Sequence, residues 1–332
     1  MQNNNNLEIK GILVTLLAPM EDHIANGGEK LLGNVSSIKR RPDEKVYISG
    51  QMQRNALFKA IERLNFADEN RGTTYVSNGD GIGYNVETNI RSDLGGFMHP
   101  RGGNYSGRRT SPLSVTPAVS INESEIGKDL LLRLRTQDRE HSLATNEYSQ
   151  EDLMNMNFFL DIGSVSVSKK FNYENEFHVD TDFVKHVNEK ERERRVKLFL
   201  EASRSITDYA NQARNAVCGE PQQVLIVFDT KLSRKASRFF NADDKEKENI
   251  LKELKNRKAK YFIGDDKGVL KGDNEQLSVD EAYNKALEFF RQENVTLFDP
   301  CGGDNNIVSF EKAFGSLLAK KEKEDDTSET DD

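Results

Sequence analysis

The sequence predicts an α+β fold, and three observations carry that expectation. Residues 9–17, IKGILVTLL, read as a buried strand with apolar residues on both faces. Met52, Ala56, Leu57, Ala60, Ile61 and Leu64 recur at helical spacing and mark one amphipathic helix over 50–65. Two further strands, a long helix and a last buried strand then follow, ending in VLIVF at 224–228. The order strand, helix, two or more strands, helix, strand is that of a ferredoxin-like, RRM-type core interrupted by large insertions.

Each element has its own justification. The helix of 50–65 starts at Ser49, a natural N-cap. From about 66 to 126 the chain is rich in Gly, Asn, Ser and Arg with weak periodicity, and reads as an extended insertion rather than core. Leu130, Leu132 and Leu134 alternate with Leu131, Arg133 and Arg135, which predicts a strand with one basic face. In FFLDIGSVSVS (158–168) the apolar parity changes at Gly163, and a bulge there is the simplest reading. Val196, Phe199, Leu200, Ser203, Ile206, Ala210 and Ala213 share one face of a helix over about 189–217. Beyond the VLIVF strand come a charged helix at 244–257 and a helix over 279–293 opened by Ser278, with Glu281 as its capping-box partner. A short strand at 295–298 and an amphipathic helix at 307–319 finish the pattern. Residues 1–319 are expected to form one domain, and 320–332 an acidic disordered tail without apolar residues.

Composition narrows the function classes. The chain has 332 residues, 36% of them hydrophobic, and no apolar run approaches the roughly 20 residues needed to span a bilayer. The N-terminus lacks the charged start and apolar centre of a signal peptide, so a cytoplasmic protein without a membrane partner is expected. Cys218 and Cys301 are too few for a disulfide framework or a zinc site. The net charge of −8 is unevenly spread: the tail carries three Lys against seven acids. Residues 91–119 instead carry Arg91, Arg101, Arg108 and Arg109 against Asp93 alone, and local charge decides where a phosphate binds.

The strongest candidate site lies between Gly33 and Leu64. Gln51, Arg54 and Asn55 fall opposite the apolar stripe, beside the first-turn N–H groups whose dipole favours phosphate oxygens. Lys39, Arg40 and Arg41 add three cations just upstream. A capped surface helix explains the second half alone, and a solvated basic loop the first; together they point to a nucleic-acid backbone. The Arg/Gly segment 91–120, with one Tyr, suits a loop that follows a phosphate chain. An aromatic RNP signature is missing, so base reading by a typical RRM sheet is not expected. GDGIG at 79–83 neither follows a strand nor opens a helix and reads as a turn. HVDTD at 178–182 suits an exposed strand edge, the histidines lack metal spacing, and no catalytic constellation, metal site or cofactor motif is found.

The opening strand, the GNVSSIKRR loop (33–41) and YISGQMQRNALFKAI (47–61) resemble the Cas-seven superfamily of CRISPR proteins in its DevR-type branch. DLGGFM (93–98) followed by RRTSPLSVTPAVS (108–120) is similar to the central motif of that branch. In element order the resemblance covers residues 7–230. Gly95 and Gly96 depart from it, since a bulkier residue is expected before Phe97, and the sequence does not place a thumb hairpin. The resemblance implies a modified RRM-like palm with inserted finger and thumb segments, the insertion lying at approximately 66–126. It also implies a non-catalytic backbone subunit of a type I (I-B-like) Cascade effector complex. Copies would form a helical filament along a CRISPR guide RNA, beside other effector subunits, and present the guide to a target DNA strand. Ser49, Gln51 and Arg54 match the helix-start contacts to RNA, and Asn34, Lys39 and Arg40 match the basic loop. The alternative is a metal-dependent ribonuclease of the type III backbone kind using Asp22.

Overall fold

The computed structural model describes residues 6–30, 35–80, 83–98, 108–134, 141–210, 212–213, 216–270, 272 and 275–315. Strands β1 (Leu7–Ile9) and β2 (Gly11–His23) open the chain, followed by the short β3 (Glu29–Lys30), β4 (Val35–Ser37) and β5 (Tyr47–Ile48). Helix α1 (Gly50–Ala67) comes next, then the short α2 (Ile90–Gly95), β6 (Phe97–Met98), β7 (Arg108–Arg109), β8 (Leu113–Val115) and β9 (Ala118–Ser120). Two hairpins follow, β10 (Ile126–Leu134) with β11 (His141–Asp161), and β12 (Val167–Glu174) with β13 (Phe177–Lys185). The C-terminal part runs α3 (Glu189–Ser203), β14 (Gln223–Asp229), α4 (Asp244–Asn256), β15 (Lys260–Asp265), α5 (Val279–Phe290), β16 (Val295–Leu297) and α6 (Phe310–Phe314).

The main sheet follows from how these strands pair. β2 lies antiparallel between β14 and β11, β15 extends β14, and β8 and β9 run antiparallel along the other edge of β11. The unit β2–α1–β8 therefore has β11 between its strands, and the unit β11–α3–β14 has β2 between its own. That is a split β-α-β arrangement in an α+β fold.

The unbroken burial of β2 from Gly11 to Ala18 reflects layers on both faces of the sheet. Ile12, Val14, Leu16 and Ala18 pack with Met154, Met156 and Phe158 under α1, α3 and α5. Leu13 and Leu17 point the other way, with Leu225, Val227 and Phe159, beneath Phe239, Phe240, Ile250 and Leu254. The second face of β2, β14 and β15 is thus closed by residues 235–256. A nucleic-acid strand cannot lie across those three strands there, which is consistent with the missing aromatic signature.

Several expectations need correcting. Residues 113–120 are not insertion: β8 and β9 belong to the main sheet, with Leu113 and Ala118 buried. The parity change at Gly163 is not a bulge, because β11 ends at Asp161 and a 3-10 turn over Ile162–Ser164 hands the chain to β12 in a separate hairpin. The helix expected to reach 217 stops at Ser203. Residues 205–208 are Ser, Ile, Thr and Asp, weak helix formers, and Ile206 and Tyr209 reach the core from a loop instead. The last helix spans only Phe310–Phe314, and residues 316–319 lie outside the described residues, as does the acidic tail. The caps are where they were expected. The Ser49 hydroxyl accepts the Met52 N–H, and Ser278 and Glu281 form a capping box.

Candidate nucleic-acid interface

The basic loop folds as a tight turn that delivers the chain to α1. Arg40 bridges Val46, the Arg41 N–H donates to the Lys45 carbonyl, and the Asn26 side chain donates to the Lys39 and Tyr47 carbonyls. Tyr47 and Ile48 then pair with β9, and Ser49 caps the helix. Gly50, the first helical residue, explains the glycine of the ISGQ run: a Cβ there would stand 2.9 Å from the Val115 carbonyl oxygen. The helix start therefore sits directly on the β8–β9 corner, and Gly50 and Val115, 65 residues apart in sequence, become one feature.

Beside the first turns of α1, a cleft of ≈ 390 Å³ opens between α1, α2 and residues 77–80. Gln51, Arg54 and Asn55 line it from α1, and Arg91 enters from α2. Both guanidiniums lie by the ring of Phe58, with Cζ 5.7 Å from its centroid for Arg54 and 4.9 Å for Arg91. Arg54 donates to the Gly95 carbonyl and Arg91 to Asn55 Oδ1 at 3.2 Å. Among the described residues neither arginine forms an ion pair. Burial lowers the pKa of both, and the charge of Arg54 lowers that of Arg91 further against weaker support from Glu62 and Asp80. The two remain cations at neutral pH. Gly95 and Gly96 are explained here too. A Cβ on Gly95 would stand 2.6 Å from Arg54 Nη2, and Gly96 has φ +63° with a Cβ position pressed against the Arg109 carbonyl.

Residues 32–231 match the family described as "CRISPR-associated negative auto-regulator DevR/Csa2". The chain belongs to the DevR/Csa2 family. The matched span holds the basic loop, α1, the cleft and α3. Among solved structures, a chain described as "CRISPR RNA-guided surveillance complex" is similar at a TM-score of 0.51 and 12% identity, covering 84% of this chain and 99% of that one. A second, described as "CRISPR RNA-guided surveillance complex, pre-nicking", gives a TM-score of 0.48 at 10% identity, with 84% and 99% covered. At these identities the likeness to the first is one of fold. No curated protein matches the sequence.

The remaining candidate residues of this DevR/Csa2 chain divide sharply. Lys39, Arg40 and Arg41 line a separate shallow hollow with Tyr47 and Glu29. There Arg40 pairs with Glu44 at 2.7 Å and Arg41 with Asp43 at 3.6 Å, so part of the loop's charge is met locally. Asn34 and Arg101 lie outside the described residues, and Arg108 is described only through its backbone pairing with Met98. Arg109 is a correction. It is buried, and its guanidinium donates to Asp93 Oδ1 at 2.5 Å, the Val167 carbonyl at 2.6 Å, Ser168 Oγ at 2.7 Å and the Ser164 carbonyl at 2.9 Å. Its donors are spent inside the protein and do not face a phosphate.

Sequence reasoning missed Phe58, Phe97 and residues 77–80 in the cleft. Phe58 was legible in principle, because it stands four residues after Arg54 on the same helix face. Asp93 was missed as well, although it is the single carboxylate in the basic stretch 91–119.

The ribonuclease alternative finds little support in the residues around Asp22. Asp22 is exposed near the end of β2 with φ +44°, and its neighbour His23 is buried. His23 Nε2 contacts Asp152 Oδ2 at 2.6 Å, Asp152 Oδ1 accepts from Ser124, and His23 Nδ1 accepts the Ala25 N–H. The order Ser–Asp–His leaves no nucleophile beside the imidazole, unlike a catalytic triad. Among the described residues no group of three or more His, Cys, Asp or Glu could hold a metal ion. No described helix is long and apolar enough to cross a membrane.

Proposed function

We propose that this DevR/Csa2 protein is a non-catalytic RNA-binding subunit of a type I CRISPR effector complex. Several copies assemble along one guide RNA and, with other effector subunits, present it for pairing with a target DNA strand. The observation that carries this reading is the cleft beside the start of α1. Gln51 and Arg54 from one segment and Arg91 from another line one surface, and among the described residues no carboxylate forms an ion pair with either arginine. Phosphate oxygens are the complement of such a surface. The sheet with α1, α3 and α5 is the palm of this reading. The segment between α1 and β8 is its finger, and the β12–β13 hairpin, with Tyr173, Phe177 and Phe183 exposed, is its thumb.

The test is purification of the assembled protein and measurement of its affinity for guide RNA across a salt series. Bound RNA and an affinity that falls steeply with salt are expected, because each neutralised phosphate releases counterions. A preparation that neither carries nor binds RNA, or an affinity independent of ionic strength, overturns the proposal. Labelled RNA incubated with magnesium should stay intact. Periodic cuts abolished by Asp22→Ala would replace this reading with the ribonuclease.

A further inference from the structure

We infer that Arg54 and Arg91 act as a single unit, gripping one phosphate group between two guanidiniums that share the ring of Phe58. For its natural ligand, a phosphodiester of bound RNA, this rests on the RNA-binding reading; the anion site itself does not.

The two arginines come from different helices, and three features bring them together. Phe58 lies beside both, which fixes two planar cations next to one another. Gly95 leaves out the Cβ that would block Arg54, and Gly79 leaves out one that would collide with the Arg91 guanidinium. Asn55 holds Arg91 through its side-chain oxygen, which adds no negative charge. Two like charges at a half-buried site repel, and their mutual field is screened less than it would be in open water. Ordinary packing would be served by a carboxylate paired with both, as Asp93 serves the arginines nearby; Asp80, the carboxylate in the lining, supports Arg91 through its charge but forms no ion pair with either arginine among the described residues. Arg91 Nε is buried and has no acceptor among the described residues. A tetrahedral oxyanion would satisfy that donor, relieve the repulsion and accept from both guanidiniums at once. Gln51 and Ser92, also in the lining, offer neutral polar groups to its remaining oxygens.

The test uses the full chain freed of RNA, with sodium sulfate and sodium phosphate as probes. At equal ionic strength, either probe should raise the melting temperature more than sodium chloride does, and Arg91→Lys and Arg54→Lys should each abolish the difference. With guide RNA, each lysine variant should lose roughly 10- to 100-fold in affinity, since charge is kept and only the forked geometry is removed. The double variant should be no weaker than the worse single, because a pair acting on one group is lost as a unit. Additive losses, or full RNA affinity in Arg91→Lys, would overturn the inference while leaving the RNA-binding function intact. If the wild type bound no RNA but showed the sulfate effect and lost it in both lysine variants, the function would fall and the anion site would stand.

Discussion

Arg91 and Asp93 stand two residues apart on α2 and belong to opposite kinds of electrostatics. Asp93 is fully buried and is met by Arg109 at 2.5 Å and Arg195 at 2.6 Å, with Ser166 donating both its N–H and its hydroxyl. Those cations and hydrogen bonds outweigh burial and hold its carboxyl below the usual range. Arg91 faces the cleft with another arginine for company and, among the described residues, no carboxylate paired to it. One short helix thus turns a satisfied charge network inward and an unsatisfied pair outward. The paired side ties together α2, α3, β7 and the turn before β12. The unpaired side places two guanidiniums by one ring in a cleft whose lining carboxylate, Asp80, pairs with neither among the described residues. Arginine count alone does not distinguish the two sides; what each guanidinium already touches does.

The most severe way to break the contrast is to remove Asp93. Asp93→Ala leaves two guanidiniums buried without their carboxylate, and breaking a buried pair in this manner costs about 3–5 kcal/mol. Urea denaturation should show a loss of that size, and Arg109→Gln should fall in the same direction. A stable Asp93→Ala protein would show that the network is dispensable, and the contrast between Asp93 and Arg91 would lose its structural half.

Acid probes the same side more gently. The His186 Nδ1–H donates to the Val308 carbonyl at 2.7 Å, and its Nε2 contacts Ser168 Oγ, which Arg109 also engages. Burial, then the charge of Arg109, push its pKa from 6.5 down to about 4. The unfolded chain therefore binds a proton near pH 6.5 that the folded protein takes up only near 4. The stabilisation is fully present above pH 6.5 and is lost as pH falls through that window, about 3 kcal/mol in all at 1.36 kcal/mol per unit. His186→Gln should flatten that part of the stability–pH curve, measured by denaturation from pH 7.5 to 4. An unchanged slope would mean that the imidazole accepts its proton in place.

Arg54→Ala sharpens the other half. The side chain donates to the Gly95 carbonyl but has no ion pair among the described residues, and its removal relieves repulsion with Arg91. Stability should change little, while loading of guide RNA falls by about 1.5–3 kcal/mol per subunit, the worth of a charge-assisted hydrogen bond. Repeated in every copy of a filament, that loss becomes a large assembly defect. Normal loading would reduce the start of α1 to a surface cap.

The legible parts of the molecule were those with local signatures. Helical spacing and Ser49 gave α1 to within two residues, and Ser278 with Glu281 gave the start of α5. Gln51, Arg54 and Arg91 were named from separate segments, and the fold brings them to one cleft. What sequence reasoning could not supply was partnership across long separations. Arg109 reads as a loop cation until Asp93, Ser164 and Ser168 are seen around it, the last two more than 50 residues away. The same blindness hid β8 and β9, three residues each, whose identity as sheet strands depends on β11. Gly95 and Gly96 looked like a departure because what excludes a Cβ there, the Arg54 and Phe58 side chains of α1 and the backbone of Arg109 and Ser111, lies far off in sequence or beyond the turn.

The smallest expected effect belongs to the basic loop, which stands between the two cases. Arg40 is exposed and already paired with Glu44, and exposed pairs of this kind contribute about 0–1 kcal/mol. Arg40→Ala should therefore leave stability within that range. Its effect on RNA loading should be milder than that of Arg54→Ala, because Glu44 already offsets part of the charge that a phosphate would meet. Glu44→Gln gives the reverse test: with the local carboxylate gone, Arg40 is freed and RNA affinity should rise slightly, most visibly at low salt where surface charges are least screened. If Glu44→Gln weakened RNA loading instead, the ion pair would be holding the turn in shape, and Arg40 would move to the structural side of the comparison with Arg109.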